Sequence, residues 1–143
     1  ILNSILLKKL LKNPYYKKKN AKSLDIKDFN LNLLDGMTLK DGCTTLALLT
    51  VETICRAIMK LKSKPKFIIF TGGGRKNKFI ISAITKKINI KIYLIDEFKF
   101  NGDFIESQAF AYLAVRSYYK KIISLPSTTG VNKPVTGGII TKV

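Results

Sequence analysis

The sequence predicts an α/β fold, and three observations carry that expectation. A short apolar run at 67–70, rich in β-branched and aromatic residues, lies between Pro65 and the triplet Gly72, Gly73 and Gly74. An amphipathic stretch follows Asn77 and runs to about residue 87. A second short run, K-I-Y-L-I, stands at 91–95. The order strand, glycine loop, helix, strand implies a parallel pair joined by a right-handed crossover. A continuous apolar run of this length also predicts a first strand buried on both faces.

The stretch K-F-I-I-F-T-G-G-G-R-K-N at 66–77 organises the rest. Ligands of open α/β sheets bind beyond the C-terminal ends of the strands. Glycines there permit positive φ and close approach of a ligand to the backbone. Asn77 is a good N-cap, and the helix behind it turns its first N–H groups toward the same place, which favours phosphate. The triplet has two readings, a tight structural turn and a phosphate-side loop.

The other elements follow in order. A helix is expected at 3–13, ending before Pro14, then a basic loop with Tyr15 and Tyr16. Residues 23–30 suggest a short capped helix, and Asp35-Gly36 marks a turn. A long helix is expected from an Asp41 cap to about residue 62, mostly buried between a sheet and another helix. It carries two apolar stripes, one of them Leu48, Val51, Cys55 and Met59, and one polar line of Glu52, Arg56 and Lys60. Asp103 is expected to cap a last helix at 104–120, apolar nearly all round, and a short strand is expected at 139–141.

The 143 residues suffice for one domain, and 46% of them are apolar. No run of about 18 apolar residues occurs, so no membrane-spanning helix is expected. The N-terminal stretch has no charged region ahead of its apolar part and no small-residue cleavage site, unlike a signal peptide. It has no initiator Met and reads as starting within a longer protein. The net charge of +17 raises a basic α/β nucleic-acid-binding module as the alternative function. Against it, the lysines are spread over the chain and the arginines are only Arg56, Arg75 and Arg116. The absence of histidine removes histidine bases and the commonest zinc ligand. Cys43 and Cys55, on one helix, would lie about 18 Å apart, too far for a disulfide. They read as free thiols and small core residues, which suits a reducing cytoplasm.

Several motifs stand in a fixed order: K-S-L-D-I-K-D-F-N at 22–30, D-G-C-T-T-L-A-L-L-T at 41–50, T-G-G-G-R-K-N at 71–77, N-G-D-F-I-E-S-Q-A-F-A-Y-L-A-V-R-S at 101–117, L-P-S-T-T-G at 125–130 and T-G-G at 136–138. Together they resemble the C-terminal half of the anhydro-N-acetylmuramic acid kinase family. Three departures stand out. Asn101 replaces an Asp, Asn20-Ala21 replaces prolines, and Arg75 follows the glycines where a small residue is common.

The resemblance implies a ribonuclease H-like, actin-like ATPase fold, with a mixed sheet flanked by helices that is incomplete in this chain. Residues 1–143 would form the C-terminal lobe of a two-lobed sugar kinase. The N-terminal lobe, with its phosphate-binding segments and water-activating aspartate, would be missing. The implied reaction uses ATP, Mg2+ and water to open the 1,6-anhydro bond of anhydro-N-acetylmuramic acid and phosphorylate the 6-hydroxyl, a cytoplasmic step of peptidoglycan recycling. A homodimer of a full-length protein is implied as well, with no membrane or nucleic-acid partner. Gly72, Gly73, Gly74 and Asn77 match the adenosine-side loop. Glu106 matches a glutamate facing the sugar cleft, and equally suits the third position of a capping box begun by Asp103. No residue of the chain matches a catalytic or metal-ligating role, so it is expected to be inactive alone. Thr128, Thr129 and Gly130 match a tail motif without an assigned role.

Overall fold

A computed structural model of the protein describes residues 4–18, 31–139 and 141. Helix α1 spans Ser4–Leu10 and gives way to a 3-10 turn, Pro14–Lys17. Asn13 starts that turn, its side chain accepting the Tyr15 N–H at 2.9 Å. Pro14 takes a first position that needs no N–H. The helix expected at 23–30 lies outside the described residues. A second 3-10 turn, Leu31–Leu34, leads to Gly36, whose φ of +78° suits the expected Asp35-Gly36 turn.

Helix α2 spans Leu39–Met59, and its cap is Thr38 rather than Asp41. Thr38 has extended backbone, and its Oγ1 accepts the Asp41 N–H at 3.2 Å. Asp41 therefore lies inside the first turn, where its charge faces the positive end of the helix dipole. Of the two apolar stripes, Val51 and Cys55 are buried against Ile84 and Ile88, with Ile54, Ile58, Ile68, Phe70 and Ile92 around them. The helix is less buried than its composition implies: Met59, in the same stripe, is exposed. Both cysteines are free, as expected, but Cys43 is exposed and only Cys55 serves the core. Burial pushes the Cys55 thiol pKa up. The polar line finds partners: Glu52 pairs with Arg56 at 3.5 Å and with Lys87, and Lys60 Nζ donates to the Tyr16 carbonyl at 2.9 Å.

By length and composition alone α2 is long and apolar enough to cross a membrane, although polar residues interrupt it and no uninterrupted run of about 18 apolar residues occurs. Its buried Val51 and Cys55, and its ion pairs from Glu52, fit the core helix of a folded domain.

Strand β1, Phe67–Phe70, pairs in parallel with β2, Lys91–Leu94, with Phe67 opposite Lys91 and Phe70 opposite Leu94. Helix α3, Lys78–Lys87, is the crossover between them, and Ile84 is wholly buried. The α/β reading holds, but β1 is not buried on both faces. Ile68 and Phe70 pack against the α2–α3 core, whereas Phe67 and Ile69 are exposed on the other face. An apolar run records that neither face is polar; it does not record which face receives a neighbour. On the uncovered face Phe67, Tyr93 and Phe98 stack edge to face, at 5.8 and 5.5 Å between ring centres. Among the described residues the sheet has these two parallel strands, not the expected mixed arrangement. Antiparallel pairing among the described residues is confined to one bridge, Ser124 to Val135, and neither Ile139 nor Thr141 lies in a strand.

Helix α4, Ile105–Tyr118, starts and ends inside its expected bounds and has no buried residue. The chain returns along it, and the Ser117 hydroxyl donates to the Gly137 carbonyl. A short helix, α5, Pro126–Thr129, closes on Gly130 with φ +75°.

Candidate functional site

The C-terminal ends of β1 and β2 bring two loops together. Leaving β1, Gly72 takes φ +72°, a conformation that favours glycine. Gly73–Lys76 then form a 3-10 turn, with the Arg75 N–H donating to the Gly72 carbonyl at 3.2 Å. Gly73 and Gly74 lie outside the positive-φ region, and a Cβ on either would meet no atom within 4 Å. Neither glycine is demanded by packing against the described residues; both leave bare backbone open to an incoming group. Asn77 caps α3 as expected, Oδ1 accepting the Ile80 N–H at 3.2 Å.

Arg75, a buried cation with 6% of its surface exposed, joins this turn to the loop after β2. Its Nε and Nη2 donate to the two Asp96 oxygens at 2.6 and 2.9 Å. Its Nη1 donates to Asp103 Oδ1 at 2.8 Å and to the Gly72 carbonyl at 2.9 Å. Lys76 Nζ reaches the other Asp103 oxygen at 2.6 Å. Hydrogen bonding from Arg75 holds the Asp96 and Asp103 carboxyls below the usual carboxylate range, with Lys76 adding to the effect on Asp103. The same bonds raise the Arg75 pKa, so it stays charged throughout. A methyl group at Gly102 would overlap the guanidinium, so glycine is required there by close approach.

Asp103 is thereby spent, and the expected capping box does not form. Phe104 is the N-cap of α4, without a side-chain cap, and the Gln108 N–H donates to its carbonyl at 2.8 Å. Glu106 sits in the first turn, exposed, and its carboxylate has no hydrogen-bond or ion-pair partner among the described residues. Of the sequence-derived residues, Gly72, Gly73, Gly74 and Asn77 share one turn, and the segment leading to Glu106 is held beside it through Asp103. The tail motif folds on itself: the Leu125 N–H donates to Thr128 Oγ1 at 3.1 Å.

Sequence reasoning missed Arg75, Asp96 and Asp103 as a set. A signal was present: the chain has 26 basic and 9 acidic residues, and three acids, Asp96, Glu97 and Asp103, lie between β2 and α4 while a rare Arg follows the glycines. Among the described residues no cluster of three or more histidine, cysteine or carboxylate side chains could hold a metal ion.

The family model for anhydro-N-acetylmuramic acid kinase matches residues 1–143. The chain belongs to that family. Among curated relatives, the anhydro-N-acetylmuramic acid kinase of Pelagibacter ubique is 48% identical over 126 residues, 84% of this chain and 34% of the relative. Those of Phenylobacterium zucineum and Zymomonas mobilis are 37% and 34% identical, over 97% and 98% of this chain and 38% of each relative. The chain thus spans little more than a third of the length of these kinases. Nothing in these matches favours the nucleic-acid alternative.

Proposed function

We propose that this chain supplies the nucleotide loop and one wall of the sugar site of an anhydro-N-acetylmuramic acid kinase. The observation that carries the reading is the family match along all 143 residues. The open backbone of Gly73 and Gly74 supports it, lying at the C-terminal edge of a parallel strand pair. In this reading the chain is the C-terminal lobe of a two-lobed, ribonuclease H-like kinase of the cytoplasm, which acts as a homodimer in its full-length form. ATP is the phosphoryl donor, and anhydro-N-acetylmuramic acid, opened by water, is the acceptor. Gly72–Gly74 and Asn77 border the adenosine side, and Glu106 accepts a hydrogen bond from a sugar hydroxyl.

Phosphoryl transfer depends on positioning and on neutralising charge, to which Mg2+ contributes when bound to the phosphates. Asp96 and Asp103, the carboxylates beside the loop, are committed to Arg75 and Lys76 and are unsuited to the metal. The residues here position the nucleotide, and the water-activating aspartate belongs to the part of the kinase outside this chain.

The test joins this chain to the part of the Pelagibacter ubique kinase that it does not cover. The chimera, given ATP, Mg2+ and the anhydro sugar, yields sugar 6-phosphate, whereas the chain alone yields none. A folded but inactive chimera, or turnover by the chain alone, overturns the assignment.

A further inference from the structure

Arg75 gathers three segments at one guanidinium: the Gly72 carbonyl in the turn after β1, Asp96 following β2, and Asp103 preceding α4. We infer that Arg75 is a positioning residue that holds the glycine turn and the entry to α4 in one fixed geometry. What the turn is positioned for rests on the nucleotide reading above; the tie itself does not.

The choice of arginine is what the geometry requires. Its planar fork serves Asp96 with two parallel donors and still has Nη1 for Asp103 and Gly72. Lysine, with one nitrogen, cannot span these acceptors. The buried charge is balanced, since Arg75 and Lys76 meet Asp96 and Asp103. Gly102 completes the arrangement by leaving room for the guanidinium. The Arg75 N–H and Nη1 together hold the Gly72 carbonyl and so orient the following peptide. The Gly73 N–H points to the opposite side of that planar trans peptide, and donates to no other described residue. Arg75 thus leaves one oriented backbone donor free for an oxygen of a ligand. Through Asp103 it also sets where α4, and with it Glu106, begins.

The test compares the wild-type chain with Arg75→Met, Arg75→Lys and Gly102→Ala. The Gly102→Ala variant displaces the guanidinium without changing the charge, and it decides the matter if Arg75→Met does not fold. Amide hydrogen exchange is read by mass spectrometry at 71–77, at 101–106 and in the α2–α3 core. In both Arg75→Met and Gly102→Ala, exchange at the two loop segments accelerates about tenfold or more while the core stays within about twofold. Arg75→Lys does not restore protection. Unchanged loops, or loops and core loosening together, overturn the inference. ATP titrated calorimetrically into chimeric kinases carrying the same substitutions gives an independent reading. Affinity falls about tenfold in Arg75→Met, and equal affinity overturns the positioning role. If the chimera with the wild-type sequence of this chain does not bind ATP, the nucleotide reading fails, and the exchange data alone decide the tie.

Discussion

Arg75 and Asp96 form a two-point ion pair, Nε to Oδ2 at 2.6 Å and Nη2 to Oδ1 at 2.9 Å, between loops 21 residues apart in the chain. This pair sets the behaviour of the sheet edge.

Its first consequence is acid sensitivity. Asp96 and Asp103 have lowered pKa values in the fold, chiefly through Arg75. Their contribution to stability is complete above the unfolded carboxylate value of about 4 and is lost as the pH falls below it. Thermal melts followed by circular dichroism should show little change in Tm from these groups between neutral pH and about pH 5. Below about pH 4 the wild type should fall more steeply than Asp96→Asn. Parallel acid limbs for the two proteins would show that the pair does not stabilise the fold.

The glycines of the turn should separate into two kinds. Gly72, at φ +72°, should resist Gly72→Ala at a cost of about 1 kcal/mol or more. Gly73 meets nothing at its Cβ position. Gly73→Val should leave stability nearly unchanged but weaken ATP binding by the chimeric kinase about tenfold, or about 1.4 kcal/mol. Urea unfolding and calorimetric titration measure the two effects. Undiminished ATP affinity in Gly73→Val would make the triplet a turn and nothing more.

Glu106 should matter to turnover and not to folding. The capping box that would have made it structural is absent, because Phe104 occupies the N-cap. Glu106→Gln should therefore preserve Tm. In the chimera it should lower kcat/KM for the anhydro sugar about tenfold or more, within the roughly 1.5–3 kcal/mol of a charge-assisted hydrogen bond. A variant equal to wild type in steady-state kinetics would remove Glu106 from the sugar site.

Ile84 has no exposed surface and lies at the centre of the α2–α3 contact. Ile84→Ala should cost about 2–5 kcal/mol in urea unfolding. Leu39→Ala, at a residue 85% exposed, should change stability by less than about 0.5 kcal/mol. Similar losses at both positions would move the core elsewhere.

Much of the strand–turn–helix–strand unit is legible without coordinates. Pro65 and Gly72 punctuate the first strand, and Asn77 carries its capping signal in its own side chain. Readings failed where a residue had two suitors. Thr38 and Asp41 are both good caps, and the backbone at Thr38 decides between them. Asp103 is a good cap as well, but a buried guanidinium 28 residues away outcompetes the helix amides for it. The one-sided burial of β1 was illegible for another reason. Phe67 and Ile69 are as apolar as Ile68 and Phe70, and only the position of α2 and α3 distinguishes them.

The aromatic face of the sheet bears on handling the protein. Among the described residues β1 and β2 pair only with each other, so neither strand has a second strand on its outer edge. Phe67 and Ile69 stand exposed on the uncovered face of that sheet, and Phe98 in the loop after β2 is exposed as well. A strand edge next to sticky side chains is a template for adding another strand, and two strands alone are marginal in water. Preparations of this polypeptide by itself will be limited by concentration, self-associating edge to edge despite the mutual repulsion of a surface with net charge +17. Salt, which screens that repulsion, will make precipitation worse.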